Sequence, residues 1–92
     1  HLTVGGPEKI QAVRRYQQEI LQLAAKAIDE CPVDKRDIST LTMAVDAAAF
    51  DDIRDMLREM RRLIQKRVDE SVAPDRIMEL SMAFFPVTEI RK

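Results

Sequence analysis

The densest charge in the chain lies in the window REMRRLIQKR, where Arg58, Arg61, Arg62, Lys66 and Arg67 stand against a single acid, Glu59. Guanidinium and ammonium groups at that density suit contact with phosphates, and Arg58, Arg61 and Arg62 form the candidate basic contact face. The flanks argue against a nucleic-acid surface. Asp51, Asp52 and Asp55 precede the window, Asp69 and Glu70 follow it, and over residues 51–70 six acids balance six bases. Glu59 with Arg62, and Asp55 with Arg58, are spaced for helix-surface ion pairs of about 0.2–0.5 kcal/mol each. The favoured reading is a solvated helix face that makes no direct contact with nucleic acid.

Other chemistry lacks its parts. Cys31 is the only cysteine and His1 the only histidine, so one chain cannot build a disulfide framework or a His/Cys zinc site. A serine nucleophile would have only the terminal His1 to serve it. Asp37 and Asp46 bracket a β-branched stretch and read as a turn residue and a helix cap rather than a catalytic pair. Gly5 and Gly6, the only glycines, precede no strand-to-helix turn, so there is no phosphate-cradling loop. No enzyme activity, cofactor or metal is expected. Met43, Met56, Met60, Met78 and Met82 all fall on apolar faces, where filling a core is the simplest role. Cys31 also falls on an apolar stripe and reads as a small buried hydrophobe.

Ninety-two residues suffice for a single small domain, residues 1–92, which buries only about 60–65% of its unfolded surface. With 15 Lys plus Arg against 16 Asp plus Glu, whole-chain charge steers toward neither nucleic acid nor an anionic membrane. Aromatic residues make up 4% and Trp is absent, so platforms for stacking bases are scarce. No apolar run approaches the roughly 20 residues that cross a bilayer, and a reducing, cytoplasmic setting is expected. The chain starts at His1 instead of Met, which suggests the C-terminal fragment of a longer protein.

The elements that must position these residues follow from periodicity. Pro7 suits the first turn of a helix, and Ile10, Val13, Tyr16, Ile20, Leu23, Ala24, Ala27, Ile28 and Cys31 recur at helical spacing until Pro32. Asp46 is placed to cap a second helix with the stripe Phe50, Ile53, Met56, Leu57, Met60, Leu63, Ile64 and Val68. Leu57 and Ile64 are expected in the core, with Arg58 and Gln65 exposed. Between the helices, RDISTLTMAV is rich in β-branched residues and predicts a strand over about Asp37 to Val45. After Pro74, Met78, Leu80, Met82 and Phe84 alternate with Ile77, Glu79, Ser81, Ala83 and Phe85, which predicts a second strand ending before Pro86.

The succession RRYQQEILQLAAKAID, RDISTLTMAV, FDDIRDMLREMRRLIQK and RIMELSMAFFPVT resembles the C-terminal part of a bacterial family of predicted transcription regulators, itself a domain of unknown function. The matching positions are Arg36, Asp37, Ile38, Ser39, Leu41 and Thr42 at the first strand, then Phe85 and Pro86 at the end of the second. The resemblance implies a regulator whose DNA contacts lie outside this segment, and it supplies no catalytic residue.

The expected architecture is α+β, in the order helix, strand, helix, strand. Two long helices would pack on one face of a small sheet that a second chain could complete. The expected function is a non-catalytic dimerisation or regulatory module. The alternative is a small-molecule sensing domain with a pocket between helices and sheet. Met82, Phe84 and Phe85 are the candidate self-association surface, because one layer of helices cannot cover both faces of the last strand. The expected partners are a second copy of the chain, another protein or its own N-terminal domain.

Overall fold

A computed structural model describes residues 6–88 of the chain. It divides into two compact units, His1–Thr40 and Leu41–Lys92.

In the first unit, helix α1 runs Gly6–Glu30. Gly6 opens it at φ 57, a left-handed conformation that glycine adopts without a steric penalty. Lys26 and Glu30 pair at 3.8 Å across one turn. The helix stops as expected before Pro32, and a single 3-10 turn follows over Val33–Lys35. Arg36 then reaches back, its Nε donating to the Cys31 carbonyl at 3.0 Å, so one of the carbonyls left over at the helix end has a partner. Ile20, Ala24, Ala27 and Cys31 are half-buried along one stripe. Cys31 is therefore a free, half-covered thiol and not a fully buried one.

In the second unit, helix α2 runs Ala47–Asp69. Asp46 caps it as the sequence predicts: its backbone is extended and its Oδ1 accepts from the Ala49 N–H at 2.8 Å. At the other end the Glu70 N–H donates to the Arg67 and Val68 carbonyls, with Lys66 and Arg67 in the last turn where the helix dipole favours cations.

The α+β expectation is overturned. Among the described residues the regular structure is helical, with no strand and no sheet for the helices to cover. No backbone–backbone hydrogen bond among the described residues involves 36–45 or 72–88. The predicted strands over Asp37–Val45 and Ile77–Phe85 are therefore not paired with each other. The physical reason is that β propensity records how well a side chain fits a pleated surface with cross-strand neighbours, so composition alone does not create a ladder. Two strands without further support are in any case marginal.

The core expectation changes as well, because no described residue is fully buried. Leu57 is half-buried but Ile64 is 37% exposed, while Arg58 and Gln65 are exposed as expected. Among the described residues, no helix is long and apolar enough to cross a membrane.

Candidate functional site

The second unit gathers one set of side chains onto the first half of α2. Phe50, at the end of the first turn, stacks on Phe84, with ring centroids 5.5 Å apart and planes at 23°. Such a pair adds about 0.5–1.5 kcal/mol beyond the area it buries. One turn along, the Arg54 guanidinium carbon lies 5.6 Å from the Phe50 centroid, within cation–π range. These three residues, with Leu57, Arg58, Arg61 and Met82, line an open groove of about 360 Å³. Ile53, Leu57, Met82 and Phe84 are half-buried, so the segment after Pro74 is held against α2 by side chains alone.

The arginines of this helix divide into two groups. Arg58 Nη1 donates to Asp55 Oδ1 at 3.1 Å. Arg62 grips Glu59 with two bonds, Nε to Oε2 at 2.9 Å and Nη2 to Oε1 at 2.5 Å. Both pairs match the spacing read from the sequence. The hydrogen bond from Arg62 holds the Glu59 carboxyl below its ordinary value, and the same bond raises Arg62. Asp75 is lowered likewise by its bond from Arg76 at 2.8 Å. Arg54, Arg61 and Arg67, by contrast, have no acidic partner within ion-pair distance among the described residues.

Of the candidate residues, Met82 and Phe84 enter the groove, whereas Phe85 is 66% exposed and does not line it. Arg58 and Arg61 line the groove. Arg62 does not and is committed to Glu59. The sequence reading assigned Phe50 to a core stripe and did not single out Arg54. The available signal was their separation of four residues, which puts a cation one turn from an aromatic ring on the same helix face. No group of three or more His, Cys, Asp or Glu that could hold a metal occurs among the described residues.

These features define a small helical module with an aromatic and arginine-lined surface groove. The chain belongs to the family described as Domain of unknown function (DUF4423), whose model matches residues 1–87. No curated protein and no solved structure gives a match.

Proposed function

We propose that this chain is a non-catalytic dimerisation or regulatory module of a bacterial transcription regulator. It would act in the cytoplasm, with DNA contacts made outside this segment. The observation that carries the reading is the surface left open around two backbone stretches without internal partners. Leu41 is 78% exposed, Ile77 98% and Phe85 66%, and residues 36–45 and 72–88 make no backbone–backbone hydrogen bond among the described residues. Apolar groups and backbone donors left in water favour association with another chain, and a symmetric homodimer is the commonest form that association takes. The near-zero net charge and the internal pairing of Arg58 and Arg62 support placing DNA contacts elsewhere.

Light scattering across a concentration series tests the reading. A dimer that dissociates on dilution is expected, and a strict monomer at high micromolar concentration would defeat it. A gel shift at low salt adds a second check. Duplex binding at micromolar concentration or tighter, abolished by changing Arg58, Arg61 and Arg62 to Glu, would move the DNA contacts into this chain.

A further inference from the structure

We infer that α1 is the helix through which two copies of the chain associate, lying side by side and antiparallel, with Ile10 and Val13 of each packed on Ala27 and Ala24 of the other. The sequence of α1 carries a seam for this. Ile10, Val13, Gln17, Ile20, Ala24 and Ala27 recur at alternating steps of three and four, the repeat of a helix that packs along another helix. Ile10 and Val13 are exposed in the chain, and so are Tyr16, Leu21, Leu23 and Ile28 on the flanks of the seam. Among the described residues of its unit, the other regular element is the 3-10 turn Val33–Lys35, which is too short to cover a 25-residue helix.

Charge identifies what covers the seam. Residues 6–18 hold three bases, Lys9, Arg14 and Arg15, and one acid, Glu8; residues 19–30 hold three acids, Glu19, Asp29 and Glu30, and one base, Lys26. The last turn of α1 has no base at all. A helix dipole favours the opposite distribution, which α2 has with Lys66 and Arg67 in its last turn. The arrangement in α1 therefore works against an isolated helix. A second α1 running the other way offsets that cost, because each basic half meets an acidic half and the two dipoles oppose. A parallel pair would set like charge against like.

Side-chain size selects the same orientation and fixes the register. Opposing Ile10 to Ala27 of the second copy places Val13 opposite Ala24 and Gln17 opposite Ile20, so bulky residues meet small ones in the outer layers. Polar Gln17 then falls in the two central layers, beside the two-fold axis. On the flank of the same register, Tyr16 meets Leu23 of the second copy and Lys9 meets its Glu30. Lys9 has no acidic partner within ion-pair distance among the described residues, and Glu30 takes Lys26 at 3.8 Å on Oε2, which leaves Oε1 for Lys9. In a parallel pair Ala24 and Ala27 would face themselves, and half of the seam would be thin.

The inference rests on the dimerisation reading and adds which helix makes the contact and in which direction. The test uses the full chain carrying Cys31→Ser, so that the native thiol is silent. Val13→Cys and Ala24→Cys are introduced separately into that background, and each protein is oxidised alone and in an equal mixture. The mixture should yield a covalent dimer, because the two positions face each other within disulfide reach, and each protein alone should yield little. Cross-linking of either protein alone as strong as in the mixture would establish a parallel pair and overturn the proposal. No cross-link in any sample, with light scattering still showing a dimer, would sink this inference and leave the dimerisation reading standing. A strict monomer would defeat both. Charge reversal is an independent check: Lys9→Glu should weaken association about three- to tenfold, and adding Glu30→Lys should restore most of it. A double variant as weak as Lys9→Glu alone, with helicity retained by circular dichroism, would overturn the register.

Discussion

Residues 36–46 and 74–86 both carry strand patterns in the sequence, and neither makes a ladder, yet they are secured in opposite ways. The first is fastened at its two ends by polar bonds, Arg36 to the Cys31 carbonyl at 3.0 Å and Asp46 to the Ala49 N–H at 2.8 Å. Every residue from Asp37 to Asp46 is exposed. The second is fastened toward its C-terminal end by apolar contact, with Met82 and Phe84 half-buried against α2. The difference shows that a β-rich stretch without a partner strand takes whatever anchor its individual side chains offer. A ring the size of phenylalanine finds a surface that Leu41 does not.

The largest expected effect is at that ring. Phe84→Ala should cost about 1–3 kcal/mol, less than the 3–5 kcal/mol of a fully buried phenylalanine, in urea titrations followed by circular dichroism. Leu41→Ala should stay within about 0.5 kcal/mol in dilute solution. A Leu41 cost equal to that of Phe84 would break the comparison, because it would mean that something covers the first segment too.

Next in size, Leu57→Ala should cost about 1–2 kcal/mol and Ile64→Ala less, since only Leu57 lies under the second segment. The reverse order would place the docked segment further along α2. Asp46→Ala should cost about 1 kcal/mol and reduce helicity, while Asp46→Asn retains most of the cap.

The smallest effect is electrostatic. The folded pKa of Glu59 is depressed, so its pairing with Arg62 stabilises α2 above the ordinary carboxylate pKa and is lost as pH falls through the lower folded value. Helicity should therefore decline slightly as acid protonates Glu59, and Glu59→Gln should lessen that decline. No change between the two proteins on acid titration would mean that the pair contributes nothing measurable in solution.

Both helices were legible because their signals are local. Pro7 and Pro32 bracket α1, Asp46 caps α2, and Asp55, Arg58, Glu59 and Arg62 pair within one turn. The segments were misread because strand formation depends on a partner that Ile38, Thr40 and Leu41 cannot specify. Four of the seven groove residues were visible as contact candidates, Met82, Phe84, Arg58 and Arg61. Phe50 was hidden because a three-four stripe does not distinguish a floor from a core, Arg54 because it stands off that stripe, and Phe85 and Arg62 carry the expected chemistry but do not line the groove.

The segment between Arg36 and Asp46 also separates from the rest of the chain in time. Its amide hydrogens at 37–45 have no backbone acceptor among the described residues, so in heavy water they should be replaced at the pace of a free peptide. Those in the middle of α2, each donating to the carbonyl four residues back, must wait for the helix to open. The same measurement repeated with a bound partner would date the moment when this stretch stops behaving as solvent-facing chain.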